Sequence, residues 1–207
     1  MKGFGPDISI VPKAERPFPA REILLSGLDS WQNRFPNSSE AWGRKKSTNP
    51  VPLHAFCKAV SEAQDRVWIV DDYLFQLDSG SLAERIEQIL EWLPLGLAAS
   101  NIRFLTRRTQ EVDESVLKKF QQRVKEINNH PARREKLCNI EIKLHLSDRN
   151  CRFIHDRFAI IDDELWHFGA TVGGLHASVS AASRGWRAAD HGAIEFFEEI
   201  WNLGKRK

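Results

Sequence analysis

Along residues 51–207, the spacing of apolar residues alternates between the period of a helix and that of a strand. This alternation predicts a layered α/β fold. In VPLHAFCKAVSEAQD, Leu53, Phe56 and Val60 recur at helical spacing behind Pro52. RVWIVDDYLF is typical of a short buried strand that ends in two acids. The helix SLAERIEQILEWL, the strand NIRFLTRR, the helix DESVLKKFQQRVKEINNHP and the strictly alternating strand NIEIKLHL follow in turn. Strands that alternate with helices indicate an α/β domain.

Local signals indicate where several elements of this region begin and end. Ser81, followed three residues later by Glu84, predicts a capping box at a helix N-terminus, and Pro94 marks the end of that helix. FIHDRFAIIDDELWHFGAT, residues 153–171, predicts a β-hairpin with its turn at DDE. GAIEFF predicts a final strand, and EEIWNLGK predicts a short terminal helix.

Residues 1–50 are rich in proline and have no sustained period. They are predicted to form an irregular N-terminal arm, with one short helix near residues 21–35. The chain is therefore divided into an arm, 1–50, and one domain, 51–207.

Composition narrows the cellular setting. The 207 residues are 42% hydrophobic and 28% charged, and no apolar window approaches the 18 residues of a membrane-spanning helix. MKGFGPDISIVPK lacks the apolar stretch of a signal peptide, and Cys57, Cys138 and Cys151 have no C-x-x-C spacing. These features favour a reducing compartment and predict a cytoplasmic protein. The net charge of +2 permits nucleic-acid binding without indicating it.

Three polar residues, His155, Asp156 and Arg157, interrupt the apolar run of the predicted hairpin. A buried charge is unfavourable unless it is paired or used. On a strand, His155 and Arg157 would point the same way and Asp156 the opposite way. A guanidinium beside an imidazole would bind an anion and favour the unprotonated imidazole, which suits phosphate chemistry. A surface His–Arg pair is the alternative that the spacing leaves open.

The longer pattern His155-x-Arg157-x4-Asp162-x6-Gly169 resembles the H-x-K-x4-D-x6-G-S signature of the phospholipase D superfamily. The resemblance covers about residues 51–207. It implies a mixed β-sheet flanked by helices on both faces, with the motif on a strand–turn–strand. Two positions depart from the family: Arg157 replaces the lysine, and Ala170 stands where the family has serine.

The resemblance also implies a mechanism. Family enzymes use two copies of the motif, and the single copy here implies a homodimer in which His155 of one chain forms a phosphohistidine and His155 of the other serves as acid and base. Arg157 would stabilise the phosphoryl charge, and Asp162 completes the catalytic set. Asp190, with Glu195 as second choice, would orient the imidazole; a solvated acid is equally consistent with Asp190. No metal and no cofactor is implied.

Two further groups of binding residues are predicted. Because Ala170 replaces serine, Thr171 and backbone N–H groups around Gly173 and Gly174 are expected to hold the phosphate. Basic residues around an aromatic ring are expected to contact a nucleic acid by charge and stacking: Arg184, Trp186 and Arg187.

Other polar residues receive structural interpretations. Asp71 and Asp72 lack a histidine at ligand spacing, so a capped strand end is predicted there rather than a metal site. His167, on the return strand of the hairpin, is predicted to be packed or hydrogen-bonded rather than catalytic.

Two functions follow from the resemblance. The first is a metal-independent phosphodiesterase, a nuclease acting on DNA or RNA at a homodimeric site. The alternative is an inactive phospholipase D-like module that binds nucleic acid, membrane lipid or a protein partner, with membrane the less favoured ligand. It is suggested by the string IHDR, which is similar to one in the C-terminal domain of proteins with a microtubule-interacting and trafficking module. The chain can also be part of a larger protein or complex, whose other parts would select the substrate.

Overall fold

The structure is a computed structural model that describes residues 17–25, 37–46, 53–76, 81–109, 112–133, 136–146, 151, 153–176 and 180–203. These residues form one seven-stranded sheet with helices on both faces, as the sequence predicted. The strands are β1 Glu22–Leu25, β2 Arg66–Val70, β3 Asn101–Leu105, β4 Asn139–Lys143, β5 Arg157–Ile161, β6 Glu164–Phe168 and β7 Ala181–Arg187. The helices are α1 Ser38–Lys46, α2 His54–Ser61, α3 Leu82–Glu91, α4 Glu114–Asn129 and α5 Ala193–Leu203.

The sheet has the strand order β1-β7-β6-β5-β2-β3-β4. β2, β3 and β4 are parallel, whereas β5, β6, β7 and β1 join the sheet by antiparallel pairing. As a result, β2, β3, β4 and β6 end at the same edge at which β5 and β7 begin. We call this the His155 edge; it carries Asp71, Thr106, His155 and Gly169. The β5–β6 turn lies at the opposite edge.

Alternating side chains of the central strands fill two separate core layers. Val67 and Ile69 belong to a layer with apolar residues of α2, α3 and α4, whereas Trp68 and Val70 belong to a layer with apolar residues of α5. The central strands are therefore buried on both faces, which explains their nearly continuous apolar runs.

The predicted start of α3 is confirmed. The Ser81 hydroxyl accepts the Glu84 N–H at 3.2 Å, and the Ser81 N–H donates to the Glu84 carboxylate at 2.8 Å. This reciprocal pair satisfies two donors that a helix N-terminus otherwise leaves without partners. Helices at the predicted positions of α2 and α4, the hairpin, and strands β2, β3 and β4 are also present.

The predicted final strand GAIEFF is wrong, because residues 193–203 form α5. Its buried residues, Ala193, Phe197, Ile200 and Trp201, recur at helical spacing and cover the second core layer. The true last strand, β7, was missed because AASRGWR has few apolar residues. It is held by pairing with β6 on one side and β1 on the other.

The prediction of an irregular arm is wrong where the structure describes residues 1–50. Glu22–Leu25 form strand β1, although a helix was predicted near residues 21–35, and residues 26–36 lie outside the described part. Ser38–Lys46 form α1, whose start is capped by reciprocal bonds between Asn37 and Glu40. No helix in the described ranges is long and apolar enough to cross a lipid bilayer.

Candidate functional site

His155 is an exposed residue two positions before strand β5. Strand β5 begins only at Arg157, so His155 lies outside the strand whose alternation was expected to align the two side chains. Within the described residues, the imidazole of His155 makes no hydrogen bond. The neighbouring Asp156 carboxylate lies 3.6 Å from the Nε2 atom of His167 on β6. The His155 imidazole is thus open to a ligand or to another chain.

Arg157 is surrounded by residues that follow strand β2. Its Nε lies 3.3 Å from an oxygen of Asp72 and 3.6 Å from an oxygen of Asp71. Its guanidinium carbon is 4.5 Å from the centre of the Tyr73 ring, and the guanidinium of Arg107, which follows β3, approaches the same ring at 4.5 Å. The cation predicted to bind phosphate is therefore already held by two carboxylates and an aromatic ring.

Asp71 is the fully buried member of this group. Its carboxylate accepts the Tyr73 N–H at 2.8 Å and the Val172 N–H at 2.8 Å, so it joins the end of β2 to the loop after β6. Burial raises the pKa of Asp71 from 3.8 to about 6, against the lowering effect of these N–H groups and of Arg157. Asp71 was predicted from the sequence to be part of a capped strand end. A carboxylate placed directly at the end of an apolar strand was the signal for its burial.

The loop that contains Thr171, Gly173 and Gly174 packs into the fold rather than opening toward a ligand. All three residues are buried, and the Gly174 N–H donates to the Thr171 carbonyl at 3.1 Å. Gly173 has φ +78°, and a Cβ added there would lie 2.3 Å from Trp92 Cζ2. Its carbonyl accepts the Leu53 N–H at 2.8 Å. The predicted phosphate cradle is thus a packed turn, and the N–H of Gly174 is already engaged.

Asp162 lies in the β5–β6 turn, at the opposite edge from His155. Its backbone has φ +54°, a conformation that Asp tolerates better than most residues. Its carboxylate accepts the N–H groups of Gln64, Asp65 and Arg66 at distances from 2.7 to 3.1 Å. Because a five-residue strand with a rise of about 3.3 Å per residue separates the two edges, Asp162 cannot touch a group bound at His155 of the same chain.

Asp190 and Glu195 are also not brought to His155. Asp190 lies in the 3-10 turn Ala189–His191, which follows the end of β7 at the opposite edge. This turn is attached to the hairpin, since the Ala189 N–H donates to the Asp163 carboxylate at 3.2 Å. Glu195 follows in the first turn of α5 and is exposed. Neither carboxylate can orient His155 within one chain.

Arg184 is engaged in a structural ion pair rather than open to a nucleic acid. Its Nε and one terminal nitrogen donate to the Glu164 carboxylate at 2.7 and 2.9 Å. The guanidinium also lies 4.4 Å from the centre of the buried Trp166 ring. The next residue, Gly185, has φ +90°, and a Cβ there would lie 2.4 Å from the carbonyl oxygen of Ala20, so a larger residue would be strained at this position.

The irregular pairing at Gly185 separates Trp186 and Arg187 from Arg184. Trp186 lies opposite Leu165, which packs against the α5 core layer, whereas Arg184 covers the other layer. Arg187 lies 3.4 Å from the Asp163 carboxylate at the opposite edge. The three residues predicted to bind nucleic acid therefore form no common surface next to His155.

His167, which was predicted to be packed or hydrogen-bonded, is exposed and lies near Asp156. Among the residues that the structure describes, no group of three or more histidine, cysteine and acidic side chains is placed to hold a metal ion.

Comparison with known proteins gives distant structural similarities. No protein-family model matches the chain, and no curated protein is similar to it in sequence. Among solved structures, TrmBL2, an archaeal chromatin protein, matches 92% of this chain at 12% identity and a TM-score of 0.43, and the match spans about half of that protein, 55%. NucT from Helicobacter pylori matches 88% at 11% identity and a TM-score of 0.45, over 97% of its own chain. Phosphatidylserine synthase from Haemophilus influenzae Rd KW20 matches 86% at 11% identity and a TM-score of 0.46, over 36% of its own chain.

Proposed function

We propose that this chain is a metal-independent phosphodiesterase of the phospholipase D type, with His155 as its nucleophile. One observation carries the proposal: His155 is exposed beside Arg157 at the edge where β2, β3, β4 and β6 end, and its imidazole makes no hydrogen bond within the described residues. The strand–turn–strand that follows it agrees with the motif's position in the family that it resembles.

The proposed reaction has two displacement steps. A nitrogen of His155 attacks phosphorus, the bond to the leaving oxygen breaks, and that oxygen takes a proton from a second imidazole. Water then attacks the phosphohistidine, gives a proton to the second imidazole and releases the product and His155. Arg157, and Arg107 on the same Tyr73 ring, supply positive charge near the phosphoryl oxygens.

The second imidazole is proposed to be His155 of another copy of this chain, in a homodimer. Exposed aromatic residues near His155 support such a contact. Phe153, two residues earlier, is 66% exposed, and Phe196 on α5 is 38% exposed, with its ring centre 6.0 Å from that of Phe158 on β5. A two-fold axis through this surface would bury both side chains and bring the two His155 residues together.

The proposed substrate is a nucleic acid, DNA or RNA. Arg107 and the exposed Arg108 follow β3 at the His155 edge, where they could contact a phosphate backbone. The basic residues on β7 are not part of this surface. Substrate choice would thus depend on charge at this edge rather than on the Arg184–Arg187 segment.

Cleavage of single- and double-stranded DNA and RNA in EDTA tests the activity. We expect wild-type turnover to persist in EDTA and to disappear in His155→Ala, because the covalent pathway is lost. His191→Ala is the matched control, since His191 is exposed at the opposite edge, and it should retain full activity. Turnover that survives in His155→Ala, or that requires an added divalent metal, would show that the mechanism is wrong.

Light scattering tests the homodimer. We expect a dimer at micromolar concentration, and we expect Phe153→Asp to yield an inactive monomer. Leu137→Asp is the control, because Leu137 is an equally exposed apolar residue after α4. An active wild-type monomer, or a Phe153→Asp dimer with normal turnover, would contradict a site shared between two chains.

A non-catalytic binding module is the second candidate, and the environment of Arg157 favours it. A guanidinium held by Asp71, Asp72 and Tyr73 can serve as a structural clamp, for which lysine is a poor substitute. For this candidate we expect no turnover, and Arg157→Lys should weaken binding to an oligonucleotide or to anionic vesicles and lower the melting temperature. For an enzyme, Arg157→Lys should keep its activity.

A further inference from the structure

Arg157 has two carboxylate neighbours that differ in their contact with water. The Asp72 side chain is 24% exposed, whereas the Asp71 side chain is fully buried. Both approach the same nitrogen, Nε of Arg157, at 3.3 and 3.6 Å. An anionic ligand must therefore compete with two carboxylates for one guanidinium, and only one of these is accessible to solvent ions.

We propose that Asp71 controls how much of the Arg157 charge is available to a bound phosphate group. When Asp71 is ionised, Arg157 faces two negative charges and binds an added anion weakly. When Asp71 is neutral, Arg157 faces one negative charge and binds the anion more tightly. This inference rests on the proposed function only in that Arg157 is taken to meet the phosphate.

The surroundings of Asp71 allow its carboxylate to gain or lose a proton near neutral pH. Burial raises its pKa to about 6, and the charge of Asp72 acts in the same direction. The Tyr73 and Val172 N–H groups and the Arg157 guanidinium lower the pKa and keep it from rising further. Anion affinity should consequently increase as the pH falls through about 6, and Asp71 should be the residue responsible.

Asp71 also holds the loop after β6 through the Val172 N–H at 2.8 Å. A neutral carboxyl or amide still offers an oxygen to this N–H. Asp71→Asn therefore removes the charge while preserving an acceptor for the loop, which makes it the variant of choice.

The experiment measures the dissociation constant of a labelled 12-nucleotide single-stranded oligothymidylate from pH 5 to pH 8 at constant ionic strength, with inorganic phosphate as a competitor. All proteins carry His155→Ala, because histidines in general gain charge in this range. We expect Asp71→Asn to bind about as tightly as the parent at pH 5 and about tenfold more tightly at pH 8, which corresponds to about 1.4 kcal/mol. Asp163→Asn, which removes a carboxylate beside Arg187 at the opposite edge, should match the parent at every pH.

Two results would overturn the inference: a ratio of affinities between Asp71→Asn and its parent that does not change with pH, or no binding of either probe at any pH. If Asp71→Asn does not fold, Arg157→Gln provides the test, because the pH-dependent gain of the parent below pH 6 should then be absent. The proposed function is judged separately, by His155-dependent turnover in EDTA. A pH-dependent ratio without turnover would support a regulated binding site and refute the enzyme.

Discussion

Replacing Asp162 by alanine tests whether this residue is structural or catalytic. Its carboxylate accepts the N–H groups of Gln64, Asp65 and Arg66, which connect α2 to β2. The variant removes all three hydrogen bonds and places alanine at φ +54°. It leaves His155 and its neighbours untouched, because Asp162 lies at the opposite edge of the sheet.

The expected loss follows from these contacts. A hydrogen bond contributes about 1 kcal/mol net, and more when the acceptor is charged, so three bonds to a partly exposed carboxylate contribute about 3 kcal/mol. The left-handed backbone adds about 1 kcal/mol for alanine. The free energy of unfolding should therefore fall by about 4 kcal/mol, which lowers the melting temperature by about 8–16 °C for a chain of this size.

Thermal and urea unfolding, followed by circular dichroism, measure this loss. Asp162→Asn should lose less stability than Asp162→Ala, because asparagine keeps an acceptor oxygen and tolerates positive φ. Asp156→Ala is the control: the one ion pair of this exposed carboxylate among the described residues is with the exposed His167, and its removal should leave the melting temperature nearly unchanged. An Asp162→Ala protein with the wild-type midpoint would refute the structural role. A stable Asp162→Asn protein without turnover would restore the catalytic role that the motif predicted.

Three further predictions concern stability. Because the pKa of Asp71 is raised, the stability contributed by its neutral carboxyl is fully present below about pH 4 and is lost as the pH rises through about 6. The free energy of unfolding of wild type relative to Asp71→Asn should therefore fall by about 3 kcal/mol between pH 4 and pH 7. A difference between the two proteins that stays constant with pH in urea titrations would contradict this. Gly173→Ala should lower the free energy of unfolding by about 2–5 kcal/mol, because alanine would have a positive φ and its Cβ would clash with Trp92. Gly192→Ala, at φ +65° with open space around it, should lose only about 1 kcal/mol. Equal urea midpoints for the two variants would be inconsistent with this packing. Ser81→Ala should lose about 1 kcal/mol with the helix cap, and an unchanged midpoint would argue against the capping box.

Much of the fold could be predicted from the sequence because its central elements carry strong local patterns. Strands β2 and β3 are apolar runs, α3 has both an apolar face and a capping box, and the hairpin has a polar turn between two apolar segments. These patterns extend over only a few residues, so they can be recognised in the sequence without knowing which distant segments pack against them. The approximate place of His155, beside the first strand of the hairpin, follows from the same patterns.

The sequence did not predict strands β1 and β7 or the full length of helix α5, because their formation depends on tertiary contacts. β7 contains Arg184, Gly185 and Arg187, and it is a strand because β1 and β6 supply backbone partners on both sides. β1 has only four residues and exists through its pairing with β7. The pair of phenylalanines in GAIEFF is compatible with a strand or a helix. The helix forms because its apolar face packs against Trp68 and Phe158 in the second core layer.

The candidate site likewise has features that the sequence predicts and features that depend on tertiary contacts. The sequence by itself placed a histidine and an arginine next to each other at a strand end, because they are two residues apart. Only the tertiary structure paired Arg157 with Asp72, Asp71 with Val172, and Asp162 with Gln64, across 85, 101 and 98 residues of chain. Burial and hydrogen bonding determine what a carboxylate does, and both depend on contacts between distant segments. The same motif therefore contains a histidine open to solvent, an arginine already paired and an aspartate that holds a turn.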